Sequence, residues 1–183
     1  MSLLEWYTAR ASGIVAFVLL TLAVVAGLTL SGRARFRAWP RFAVEDVHGY
    51  LGILSGWFIA IHGLALLVDG YLPFSPTQVL VPFTASYRPV ATAAGVVSAE
   101  LLAALALTNR LRKQIGHRLW RRAHYLSFVV WVLALGHGLF GGSDSDAAWA
   151  MSMYLASTAL VSALLVWRVL QPRGAARATA RAA

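Results

Sequence analysis

Residues 44–68 read VEDVHGYLGILSGWFIAIHGLALLV, and from Val47 onward the stretch carries no Asp, Glu, Lys or Arg. A helix that crosses a bilayer needs about 20 consecutive, mostly apolar residues, and this run supplies them. It also holds His48 and His62, fourteen positions apart. An ionisable side chain inside such a run is costly and marks a functional position by default. The reading of the rest of the chain follows from these two features.

Four more runs of the same kind lie outward from it, at 11–30, 90–109, 119–140 and 148–170. Five spans in 183 residues predict an all-α integral membrane helical bundle, and the composition agrees, with 59% hydrophobic and 13% charged residues. Soluble domains carry about a quarter charged residues. The chain has no cysteine, which excludes disulfides, thiolate catalysis, cysteine-held zinc and iron–sulfur clusters. A net charge of +9 could point to nucleic acid, but the basic residues fall in short blocks between apolar runs, as membrane orientation requires. The first run is flanked more strongly by Arg after it than before it and lacks a clean cleavage site, so it reads as a retained helix rather than a signal peptide.

Loop charge sets the expected orientation. Fourteen of the 16 basic residues lie in the first loop, the third loop and the C-terminal end, which five spans place on one side. The other side has only Arg10 and Arg88, with Glu5, Asp69, Asp144 and Asp146. The positive-inside bias then puts the N-terminus outside and the C-terminus in the cytoplasm. Residues 1–172 form one membrane domain in this reading, and 173–183 a basic cytoplasmic tail that can lie on anionic headgroups. The outer loop 69–89, rich in Pro and aromatic residues, is expected to be ordered.

Of the five histidines, His117 lies in an Arg-rich loop and reads as a surface residue. His48 and His62 lie on the second span, and His124 and His137 on the fourth, thirteen apart. Those two spans run in the same direction, so His48 matches His124 in depth near the cytoplasm and His62 matches His137 near the outside. Fourteen residues of helix rise about 21 Å. Two imidazoles at one depth can ligate a low-spin haem iron, and two haems at that stacking would be close enough to exchange electrons. One such histidine alone is often only an interhelical hydrogen-bond donor; four in matched pairs favour two haem b groups. Fourteen residues return a helix to within about 40° of the same azimuth, but thirteen miss by about 140°. A local irregularity is therefore expected near Gly136–Gly138, and Gly49, Gly52, Gly63, Gly136 and Gly138 are expected to make room for a flat macrocycle.

With these residues in view, the chain resembles the ferric reductase-like transmembrane domain family, which includes the membrane cores of NADPH oxidases and the haem subunit of bacterial methionine sulfoxide reductase systems. The resemblance runs over roughly 10–170. It is carried by RASGIVAFVLL at 10–20, VHGYLGILSGWFIAIHG at 47–63 and HRLWRRAHYLSFVVWVLALGHG at 117–138. It implies His48 with His124 as ligands of one haem and His62 with His137 of the other. It also implies a plasma (inner) membrane location of bacterial type and a role as the electron-transfer subunit of an oxidoreductase. The sequence departs from the larger members in showing no Gly-rich dinucleotide fingerprint between a strand and a helix. A flavin or NAD(P) site is not expected in it, and the electron donor (a flavoprotein or quinol) and the extracytoplasmic acceptor are expected to be separate partners.

Haem propionates need cations. Arg41, Arg121 and Arg122 are candidates at the cytoplasmic end, and Arg88 and Arg10 at the outer end; contact with lipid headgroups is the competing reading of each. Glu100, in mid-span, could relay protons or make a structural hydrogen bond. Trp57 and Trp131 could line the space between the haems, and Asp146 could cap the fifth span. The rival functional class is a non-redox metal or haem transport protein.

Overall fold

In a bilayer core no water is present to satisfy peptide groups, so apolar runs close their hydrogen bonds within themselves as helices. A computed structural model of the chain describes residues 3–31, 40–70 and 72–171. Its elements are α1 (Leu3–Ser31), α2 (Arg41–Val68), α3 (Pro76–Leu80), α4 (Pro89–Arg110), α5 (Arg112–Ile115), α6 (His117–His124), α7 (Leu126–Gly141) and α8 (Ala148–Leu170). Among the described residues there is no strand. Among them five helical stretches are long and apolar enough to cross a membrane, with α6 and α7 together making the fourth. The expected all-α bundle of five spans is what forms. The expected tail at 173–183 and Arg33, Arg35 and Arg37 of the first loop lie outside the described residues.

Polar residues inside α1 do not break it, because their hydroxyls bond back along the helix. Ser12 Oγ donates to Thr8 O and Thr21 Oγ1 to Phe17 O at 2.9 Å. α1 is the hub of the bundle. Its Phe17, Leu20, Val24 and Leu28 pack with Leu105 of α4, Val130 and Trp131 of α7, and Tyr154 and Val161 of α8. α2 packs mainly along α1, and α7 mainly along α4.

The described part of the loop between α2 and α4, residues 69–70 and 72–88, is ordered as expected and contains α3, which the sequence reading did not anticipate. Pro76 opens α3, and Ser75 and Gln78 close a reciprocal capping box around its first turn. α4 also starts on a proline, Pro89, whose fixed φ suits a first turn.

Two expectations are corrected. The turn before α8 is not capped by Asp146: the N-cap is Ala147, without a side-chain cap bond. Asp144 instead pairs with Arg10, whose guanidinium lies 5.0 Å from the Trp6 ring centre. The irregularity that thirteen-residue spacing demands is not at Gly136–Gly138 either, since α7 runs unbroken from Leu126 to Gly141. It falls at Tyr125, immediately after His124. There Tyr125 N bonds to Arg122 O at 3.2 Å and Phe128 N to Tyr125 O at 3.2 Å. Such three-residue bonds turn the chain by about 120° per residue instead of about 100°, which recovers part of the missing azimuth in one step.

Candidate functional site

The four intramembrane histidines meet in two pairs. The ring centres of His48 and His124 are 5.9 Å apart with planes at 77°. Those of His62 and His137 are 6.2 Å apart at 74°. α2 and α7 lean on α1 and α4 rather than on each other, so the imidazoles face across a gap between their helices.

Three of the four rings are held from behind. His62 Nδ1 donates to Ala9 O at 2.7 Å, His48 Nδ1 to Ala23 O at 2.8 Å, and His137 Nδ1 to Ala91 O at 2.9 Å. A carbonyl can only accept, so each Nδ1 carries a proton, and the neutral ring then has its lone pair on Nε2. That is the form of imidazole that ligates a metal.

The bracing has a sequence basis that reading the histidines alone missed. Each accepting carbonyl belongs to an alanine, and four residues on stands a glycine: Ala9 and Gly13, Ala23 and Gly27, Ala91 and Gly95. In a helix the carbonyl of residue i points toward residue i+4. With no side chain there, its second lone pair is open from the side and the ring fits into the space left. A Cβ built on Gly13 would lie 3.0 Å from His62 Nδ1, one on Gly27 3.2 Å from His48 Cε1, and one on Gly95 2.6 Å from His137 Nδ1. On α1 the two Ala-x-x-x-Gly units are fourteen residues apart, as His48 and His62 are on the antiparallel α2. That match was the available signal.

The glycines expected to make room divide into two groups. Gly49, Gly52 and Gly136 meet no atom within 4 Å of a built Cβ. Gly63 abuts Val79, and Gly138 lies against the Tyr154 hydroxyl, so these two serve helix packing. Gly136 opens on a recess of about 410 Å³ between α4 and α7, with Arg88 at its edge.

The remaining candidates are more scattered. Arg41 is paired along its own helix with Glu45 at 2.9 Å. Arg88, at φ 41°, donates Nη1 to Phe140 O at 2.8 Å. Arg121 and Arg122 are exposed on α6. None of the four makes a hydrogen bond to a histidine among the described residues. Glu100 is exposed on α4. Trp57 is 64% exposed, whereas Trp131 is buried at mid-depth and donates Nε1 to Thr21 Oγ1 at 3.0 Å.

A bis-imidazole haem can be tested against this geometry. Two in-line metal–nitrogen bonds of about 2 Å, plus about 1 Å from each nitrogen to its ring centre, separate the ring centres by about 6 Å. The separations of 5.9 and 6.2 Å agree with that. No cluster of three or more His, Cys, Asp or Glu side chains forms among the described residues. A porphyrin supplies four of the iron's six ligands, so two imidazoles per site suffice. The residues fit the group.

A search of curated proteins and a search of solved structures found no match to the chain. A family model does match: the ferric reductase like transmembrane component, over residues 12–135. The matched segment includes His48, His62 and His124 and stops two residues before His137, whose placement opposite His62 completes the second pair. Since the match spans more than half of a chain that forms five candidate spans, this protein belongs to the ferric reductase like transmembrane family.

Proposed function

We propose that the chain is a transmembrane cytochrome with two haem b groups, passing electrons between a separate donor on one face and a separate acceptor on the other. The observation that carries this reading is the pair of imidazole separations, 5.9 and 6.2 Å, at two depths of one bundle. His48 with His124 holds the inner group and His62 with His137 the outer. A haem bound in each would supply a one-electron iron couple. The chain's own part is to hold the Nδ1 of His48, His62 and His137 on backbone carbonyls so that Nε2 is left to face the gap, to exclude water with apolar helices, and to fix the distance between sites through the rigid rise of α2. Arg88 at the outer end, and Arg121 and Arg41 at the inner end, are the cations proposed for the carboxylates of these groups.

The N-terminus lies outside and the C-terminus inside in this reading, in a plasma (inner) membrane of bacterial type. A flavoprotein or quinol is the class of donor, and the acceptor is extracytoplasmic. Purified protein should show a dithionite-reducible b-type spectrum and a pyridine haemochrome ratio of two haems per chain. In vesicles it should carry electrons from an enclosed reductant to an impermeant external oxidant. A preparation that folds as a helical membrane protein yet takes up no haem would end the proposal.

A further inference from the structure

Three imidazoles share one device, the backbone carbonyl opened by a glycine four residues on. His124 does not share it. Among the described residues no hydrogen bond reaches its ring. The stretch of α4 at that depth explains why. Counting on from Ala91 by the thirteen or fourteen residues that separate the histidines gives Ala104 or Leu105, and the residues four further on are Thr108 and Asn109. Side chains there cover the carbonyls that a glycine would expose. Leu105 is itself committed to the core.

The His124 ring has another neighbour. One turn earlier on α6, Trp120 stacks on it with ring centres 5.3 Å apart and planes at 24°. His117 lies in turn 5.3 Å from Trp120 at 34°. These spacings of three and four residues place the three rings along one face of α6. The indole Nε1 of Trp120 is shielded from solvent and has no hydrogen-bond partner among the described residues. A buried donor without an acceptor is unfavourable, and a haem propionate has the chemistry to supply one.

We propose that Trp120 is the positioning residue of the His48–His124 site: its ring face orients the one ligand that the backbone does not brace. This rests on the haem reading above and adds an inequivalence between the two sites. A hydrogen bond from Nδ1–H to a carbonyl raises the basicity of Nε2 toward the metal, which favours ferric over ferrous iron. The outer site has two such bonds and the inner site one. The inner haem is therefore the higher-potential and more loosely held of the two.

The test uses the full chain purified with haem, as Trp120→Ala and Trp120→Phe, read by haem-to-protein ratio, redox titration and the low-spin ferric electron paramagnetic resonance (EPR) signal. That signal reports the angle between ligand planes, here near perpendicular. Trp120→Ala should lose one haem equivalent, or alter one low-spin signal, with the other site unchanged. Trp120→Phe keeps a stacking face and should keep both haems. In His62→Ala, which leaves only the inner site, the surviving component should be the higher-potential one of the wild type.

Four outcomes would overturn the proposal. They are an unchanged Trp120→Ala, loss of both haems together, a Trp120→Phe indistinguishable from the alanine variant, and a lower-potential survivor in His62→Ala. A wild type that holds no haem would overturn the functional reading itself, whereas the other outcomes leave that reading standing.

Discussion

The α1–α2 half and the α4–α7 half of the bundle each present two histidines to the same gap, but they do it differently. α2 is one continuous helix with its histidines fourteen apart, and α1 behind it offers two carbonyl cradles at the same interval. The fourth span has its histidines thirteen apart, breaks at Tyr125, and finds one cradle on α4. These facts are connected. A spacing that fits the helical period lets a straight helix repeat one contact at two depths. A spacing that misses it forces a change of twist, and across the break from α7 the His124 ring has no carbonyl brace on α4 among the described residues. The difference teaches that the ligand spacing also governs which second contact each ligand can have.

The comparison breaks most sharply if single ligand replacements do not separate the sites. His137→Ala should remove the outer haem, one of two equivalents, and leave the inner spectrum intact; His62→Ala should do the same. Haemochrome ratios with low-temperature spectra decide it, and simultaneous loss of both haems would mean that the sites are not independent.

The cradles come next, because each can be closed by one carbon. A Cβ at position 95 meets His137 Nδ1 at 2.6 Å, at position 13 it meets His62 Nδ1 at 3.0 Å, and at position 27 it meets His48 Cε1 at 3.2 Å. Overpacking costs about 1–3 kcal/mol, and about 1.4 kcal/mol is tenfold in an equilibrium. Gly95→Ala should weaken outer-haem retention by about tenfold or more by that scale. Gly13→Ala should have a smaller effect on the same haem, and Gly27→Ala the smallest, on the inner one. Haem loss to an acceptor apoprotein measures all three, and a different order would show that the rings are not seated as described.

Much of this was legible in the sequence. The five spans follow from run length and lack of charge, and both histidine pairings follow from depth on parallel spans. What stayed hidden depends on neighbours far away in sequence. That Gly13, Gly27 and Gly95 back the imidazoles requires knowing that α1 lies behind α2 and α4 behind α7. The break at Tyr125 was foreseen in kind but misplaced. Glycine marks where distortion is easy, yet Gly138 is occupied by the Tyr154 contact, and the helix yields instead at Tyr125, between α6 and α7. Asp146 looked like a cap because the pairing of Asp144 with Arg10 spans most of the chain.

The smallest effects belong at the seam where the two halves meet. At mid-depth, between the histidine pairs, α7 is tied to both sides: Trp131 Nε1 donates to Thr21 Oγ1 of α1 at 3.0 Å, and Ser98 Oγ of α4 donates to Val130 O at 2.9 Å. Val130 is fully buried and Trp131 is 5% exposed. Thr21→Val keeps the shape but leaves the indole N–H without its acceptor, at a cost of about 1–3 kcal/mol. Ser98→Ala removes the donor itself, and the Val130 carbonyl keeps its place in the α7 ladder. Interhelical bonds of this kind average about 0.6 kcal/mol in membranes, so its cost should be near that. Thermal denaturation in detergent should rank Thr21→Val below Ser98→Ala in stability, with both haems present in each at low temperature. If either variant lost a haem before it lost helicity, the seam would be part of a haem site rather than the joint that holds the two halves in register.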